Sequence, residues 1–132
     1  PQEERARLEA VEAEIAEAFA TLDAATEEER EAALAALEDA LESLDAEIAR
    51  LERRSREDWE RMSDAARERL ARTLHDLRVR RNRLSEAYGA LSREADTLWD
   101  DMVEAARDGW EAVERAWDDT LDAIGGEDGA PR

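Results

Sequence analysis

Residues 34–51 read LAALEDALESLDAEIARL, and this stretch decides the fold class. Its large apolar residues recur at steps that alternate between three and four positions, which places them on one face of an α-helix. An alternation sustained over the whole stretch is typical of a coiled-coil seam. We predict that this seam comprises Leu34, Leu37, Leu41, Leu44, Ile48 and Leu51.

The segment before the seam predicts a first helix of the same amphipathic kind. Its stripe also steps by three and four, and consists of Leu8, Val11, Ile15, Phe19 and Leu22. Residues 23–26 interrupt the stripe, and Thr26 followed by Glu29 forms a capping-box pattern. We therefore expect a second helix to begin just after Thr26.

The segment after the seam is harder to divide. Between Glu52 and Glu68 the large apolar residues are Trp59 and Met62, and Ser55 and Ser63 are candidate N-caps. We place the main chain reversal here, with one unbroken helix as the competing interpretation. The stripe then continues in register and includes Arg81 at one seam position: Leu70, Leu74, Leu77, Arg81, Leu84, Tyr88, Leu91, Ala95, Leu98 and Met102.

These patterns predict an all-α fold of long amphipathic helices, arranged as an antiparallel coiled-coil hairpin or a three-helix bundle. The predicted domain spans residues 1–124, with helices over about 3–23, 27–54 and 56–124. Gly89 followed by Ser92 would allow the last helix to divide, but the unbroken stripe favours a continuous or gently bent one. Gly125 and Gly126 predict the stop, and 125–132 a flexible tail.

Composition supports long helices over disorder. Ala, Glu, Leu and Arg make up 83 of the 132 residues, a composition typical of coiled coils. Few large aliphatic residues combined with a net charge of -18 would suit a disordered chain, but disorder does not explain leucines in register. All 19 basic residues are arginine, which hints at a GC-rich genome.

Charge is unevenly distributed along the chain. Residues 1–49 carry -13, residues 50–83 carry +5, and residues 84–132 carry -10. We expect arginines of the middle segment to lie near acidic residues of the flanks once the chain folds back. Exposed pairs of this kind are worth about 0.2–1 kcal/mol each, so they set register more than stability.

The residues needed for catalysis are nearly absent, so we expect no enzymatic activity, no catalytic residues and no cofactor. There is one histidine, no cysteine and no glycine-rich phosphate loop. His75 is interpreted as a solvated histidine on a helix surface. Because Arg72 stands three residues before it, the Glu-x-x-His motif of di-iron bundles is absent, and we predict no metal site.

An arginine cluster, Arg78, Arg80, Arg81 and Arg83, raises the question of nucleic-acid binding. Phosphate recognition needs a positive electrostatic footprint, and the overall charge is strongly negative, so we expect no direct nucleic-acid binding. The opposite hypothesis, an acidic DNA mimic that inhibits a DNA-binding protein, fits the charge and is kept as a lesser alternative.

Three tryptophans near the C-terminus form a ridge on one helix face. The ridge residues recur at helical spacing and comprise Trp99, Val103, Trp110, Val113 and Trp117. One interpretation makes them large core side chains between alanines. The other makes them a partly exposed aromatic ridge that docks a partner helix or an apolar surface, and the sequence leaves both open.

Residues 94–118 resemble the C-terminal part of a family of small bacterial coiled-coil proteins associated with stress response. The resemblance rests on Trp99-Asp100-Asp101-Met102 followed by Trp110, eleven residues after the first tryptophan. This chain differs in having a third tryptophan, Trp117, and no lysine. The resemblance implies a helical protein in stress response and no particular mechanism.

We therefore expect a non-enzymatic structural or interaction protein, an acidic coiled-coil scaffold that binds a protein partner or self-assembles. Thin, alanine-rich packing favours a homo-oligomer, most simply a dimer. The alternative is a peripheral coat on an apolar or lipid surface, similar to phasins. No apolar run approaches the length of a membrane span and no signal-peptide core is present, so we expect a cytoplasmic protein.

Overall fold

The computed structural model describes residues 2–93 and 98–129, and within them the fold is all-α. The four α-helices are α1 (Gln2–Ala24), α2 (Arg30–Asp58), α3 (Asp64–Arg93) and α4 (Trp99–Gly129). Single 3-10 turns, Glu27–Glu29 and Trp59–Arg61, precede α2 and follow it. The all-α prediction is confirmed, but the architecture is a four-helix bundle and not a hairpin or a three-helix bundle.

Successive helices run antiparallel, and α4 returns to pack beside α1. Arg5 at the start of α1 lies 3.6 Å from Asp118 near the end of α4, whereas Asp23 at the end of α1 accepts a hydrogen bond from Arg107. Each helix therefore has two main neighbours, in the up-down-up-down order of a closed bundle.

The first turn is held by the capping box predicted from sequence. The Thr26 backbone N–H donates to the Glu29 carboxylate at 2.9 Å, and the Glu29 N–H donates to the Thr26 carbonyl at the same distance. Hydrogen bonds from the backbone and the side chain of Thr26 lower the pKa of the Glu29 carboxyl, because they favour its ionised form.

The second turn falls inside the predicted reversal, but one of the two candidate caps is wrong. Ser63 caps α3, since its Oγ accepts a hydrogen bond from the Ala66 N–H at 3.1 Å. Ser55 lies buried inside α2 and donates to the Leu51 carbonyl, so α2 continues to Asp58 and not to 54. Arg67 closes the turn by donating to the Trp59 carbonyl at 2.8 Å.

The single helix predicted over 56–124 is wrong. The alternative, in which this segment divides, is correct, but the division lies beyond Gly89. The helix continues through Gly89 to Arg93, and a new, antiparallel helix begins at Trp99. The apolar stripe hid this break because it stays in register across it. Leu98 belongs to that stripe but is 47% exposed, whereas its neighbour Trp99 is buried.

The predicted stop at Gly125 and Gly126 is also wrong, because the backbone of α4 remains helical to Gly129. Glycine destabilises a helix by about 1 kcal/mol relative to alanine. Unlike proline, it keeps its backbone N–H, so the helical hydrogen bonds can continue through it. The last part of the predicted tail, residues 130–132, lies outside the described residues.

One apolar core runs along the axis of the bundle. The first-helix stripe is fully buried, and the seam of α2 is buried except for Leu34, which is partly buried at its edge. Leu70, Leu77, Leu84 and Leu91 line the core from α3 at seven-residue intervals. The core is thus built from periodic faces that the sequence already shows.

Candidate interaction surfaces

The tryptophan ridge is part of the core. All five ridge residues are buried, and Trp117 is only 1% exposed. This burial corrects the interpretation of an exposed docking ridge. Because α4 packs against both α3 and α1, its apolar stripe points into the core between the helices. Trp99 is further covered by the Arg30 guanidinium, which lies 4.4 Å from the ring centroid.

Few large apolar side chains are exposed on the described surface. Trp59 and Leu98 are its exposed large hydrophobic residues. Trp59 lies at the α2–α3 turn and Leu98 lies just before α4, so they stand at opposite ends of the bundle. They do not combine into one patch of the size that marks a docking surface for an apolar particle.

A groove at the α1–α2 end combines an apolar floor with charged residues at its edge. Its volume is about 740 Å³, and it is lined by Glu17, Ala20, Thr21, Ala24, Ala25, Glu28, Glu29, Ala32 and Ala33. We call it the alanine groove. The Thr21 hydroxyl donates to the Glu17 carbonyl of its own helix, so it does not compete with an apolar contact there.

The alanine groove combines two properties that suit a helix. Methyl side chains leave the helix backbones accessible, so a partner helix could approach closely. The carboxylates of Glu17, Glu28 and Glu29 are all exposed at the rim, where they would meet basic side chains of that partner. Sequence reasoning missed this site, although clustered alanines and glutamates on both sides of Thr26 were a visible signal.

The arginine cluster of α3 is divided by the fold into two pairs. Arg78 and Arg81 face α2, where they form ion pairs with Glu52 and Asp45. Arg81 donates through Nε at 2.5 Å and also through Nη2 to the same carboxylate, and this bidentate contact raises the pKa of the guanidinium.

The other pair, Arg80 and Arg83, faces α4. Arg80 donates to the Asp76 carboxylate at 3.1 Å and to the Ala112 carbonyl of α4 at 3.0 Å. Arg83 and Arg115 of α4 line the same small groove as Arg80. The fold therefore divides the four arginines between two faces of α3.

Carboxyl groups meet across the α1–α4 interface. Partial burial, a hydrogen bond with Glu12 and nearby negative charges raise the pKa of Glu114 to about 8. Burial also raises the pKa of Asp118, against the opposing influence of Arg5. The Glu114 carboxyl therefore keeps its proton to a higher pH than an ordinary glutamic acid does.

Metal-binding side chains do not cluster in the described part of the chain. His75 lies exposed on α3. Within residues 2–93 and 98–129, no group of three or more histidines and carboxylates could hold a metal ion. Among the helices the structure describes, none has the length and apolar character of a membrane span.

Comparisons with known proteins assign no relative to this chain. The assignment to stress-response coiled-coil proteins therefore stays an untested resemblance. No protein-family model, curated protein or solved structure matches the sequence or its fold.

Proposed function

We propose that this protein is a non-enzymatic interaction protein, an acidic helical scaffold that binds a basic amphipathic helix of a protein partner. The observation that carries the proposal is the alanine groove, which joins an apolar floor to a rim of carboxylates. Grooves of this type accept one face of an amphipathic helix, while rim charges select its partner and orientation. The net charge of -18 would speed the approach of a basic segment.

The proposal can be tested with a fluorescent amphipathic peptide that carries alanine and leucine on one face and arginine on the other. We expect the protein to bind it, measured by anisotropy, and to bind a scrambled peptide of equal composition at least about tenfold more weakly, because scrambling destroys the apolar face. Equal affinity for both peptides would contradict the proposal, since simple charge attraction would then explain binding.

A pair of arginine substitutions localises the contact. Ala20→Arg places a bulky cation in the groove, and we expect it to weaken binding of the amphipathic peptide by about tenfold or more. Ala46→Arg is the matched control, because Ala46 is also exposed on a helix, changes charge equally and lies outside the groove. Equal losses in both variants would place the contact elsewhere.

The alternative, a coat protein on an apolar or lipid surface, has weaker support. It needs an exposed apolar face, and the ridge that suggested one is buried. Sedimentation with neutral lipid vesicles separates the two hypotheses, since only a coat protein should pellet with them. The acidic DNA mimic rests on net charge alone, without an arrangement of carboxylates that supports it further.

Homo-oligomerisation remains a prediction that light scattering can test. Its original reason was that a hairpin or three-helix bundle buries little apolar surface. A four-helix bundle buries large side chains from every helix in one core, so that reason no longer favours a dimer. A second copy bound in the alanine groove would give a new reason for a dimer. A single-chain mass at every concentration would contradict the predicted homo-oligomer.

A further inference from the structure

The groove between α3 and α4 is lined by three arginines, of which one has a carboxylate partner. It has a volume of about 270 Å³ and is lined by Arg80, Arg83, Gly109, Ala112 and Arg115. Arg80 has Asp76 as its ion-pair partner. The side chains of Arg83 and Arg115 form no ion pair or hydrogen bond among the described residues. The groove therefore concentrates positive charge in a protein that is acidic overall.

The local geometry favours a ligand over an empty surface. The Arg80 guanidinium is held by two hydrogen bonds. Its Nε donates to Asp76 on its own helix, and its Nη1 donates to the Ala112 carbonyl across the groove. Gly109 and Ala112 keep the floor free of long side chains. Like charges held together in this way repel one another, and a bound anion would relieve that repulsion.

From this arrangement we propose that the groove binds a small, multiply charged oxyanion, such as a diphosphate. Guanidinium groups match phosphate and carboxylate oxygens in bidentate geometry, and arginine is the residue that proteins favour for such contacts. The volume lies just below the roughly 300–1,000 Å³ of sites for drug-sized ligands, so a small anion is the appropriate class. The ligand would join α3 to α4.

The negative charge of the whole protein does not remove this site. Charges more than about 8 Å apart are largely screened at physiological ionic strength, so the arginines nearest the groove dominate its potential. The site is independent of the alanine groove, which lies at the α1–α2 end. Failure of one proposal would therefore leave the other standing.

Titration with inorganic pyrophosphate at constant ionic strength tests the site, with calorimetry for affinity and amide chemical shifts for location. We expect saturable binding, with the largest shifts at the backbone amides of Gly109 and Ala112. A parallel titration with citrate distinguishes phosphate from carboxylate sources, and tighter binding of either anion identifies the preferred chemistry. An absence of saturable binding to both anions would overturn the proposal.

Arginine substitutions give the decisive comparison. Arg83→Gln and Arg115→Gln should each weaken pyrophosphate binding by about tenfold, because each removes a charge-assisted contact. Arg69→Gln is the matched control, since Arg69 is exposed on α3, has no ion-pair partner among the described residues and lies outside the groove. All three sites are exposed, so helicity measured by circular dichroism should be unchanged. Equal weakening in the control would show diffuse charge attraction and would refute a defined site.

Discussion

The α2–α3 and α1–α4 faces of the bundle have the same antiparallel geometry but opposite electrostatics. On the α2–α3 face, Arg81 pairs with Asp45 and Arg78 pairs with Glu52, so opposite charges meet. On the α1–α4 face, Glu12 meets Glu114, and both helices are acidic overall. Ion pairs therefore support the register of the α2–α3 face, whereas the stability of the α1–α4 face depends on pH.

The α1–α4 face is nevertheless held at its two ends. Arg5 lies 3.3 Å from Asp122 and 3.6 Å from Asp118, and Arg107 donates to Asp23 at 2.6 Å. The Arg107 guanidinium also lies 5.1 Å from the centroid of the Phe19 ring. These contacts with arginine offset part of the repulsion among the carboxyl groups of this interface.

The largest effect should come from the core that both faces share. Trp117→Ala removes a side chain that is 1% exposed, and we expect a loss of about 3–5 kcal/mol in the free energy of unfolding, measured with urea. Trp59→Ala is the control, because Trp59 is 37% exposed, and its loss should stay below about 1 kcal/mol. Similar losses in both variants would contradict a buried ridge.

An intermediate effect is expected on the α2–α3 face. A double-mutant cycle with Asp45→Asn and Arg81→Gln should give a coupling free energy of about 0.5–1 kcal/mol, since the pair is bidentate but about a third or more exposed. The Glu68–Arg72 pair, within one helix and more exposed, should couple by no more than about 0.5 kcal/mol. A larger coupling free energy for Glu68–Arg72 than for Asp45–Arg81 would argue against a role of the Asp45–Arg81 contact in setting the register.

The stability contributed by the α1–α4 face should depend on pH, because like charges meet there. Because the pKa of Glu114 rises from 4.5 to about 8 on folding, the folded chain binds more protons than the unfolded chain between these values. The contribution of this group to stability should therefore fall as pH rises through that range. Thermal unfolding scans at pH 5, 7 and 9 measure this trend.

A substitution with an effect of similar size isolates that carboxyl group. Glu114→Gln should stabilise the protein by about 0.5–1 kcal/mol at pH 9, since it removes a negative charge facing Glu12, and by much less at pH 5. Glu104→Gln is the control, because it makes the same change at an exposed position of α4. A stabilisation that is equal at both pH values would argue against a raised pKa of Glu114.

Helix faces and caps could be predicted from sequence because they depend on near neighbours. The stripe of α1, the seam of α2 and the capping roles of Thr26 and Ser63 all follow from spacings of three and four residues. The break before Trp99 could not be predicted, because the stripe through Leu98 and Met102 fits a continuous helix as well as a reversal. Periodicity describes a face and not what covers it.

The sequence by itself thus determined an acidic, all-α chain with one apolar stripe along each helix, since side-chain spacing alone sets which residues share a face. Only the tertiary structure decided that the tryptophan ridge is buried, that Glu12 faces Glu114, and that Arg80, Arg83 and Arg115 converge on one groove. These are relations between helices distant in sequence. They depend on where the chain reverses and on which faces then meet.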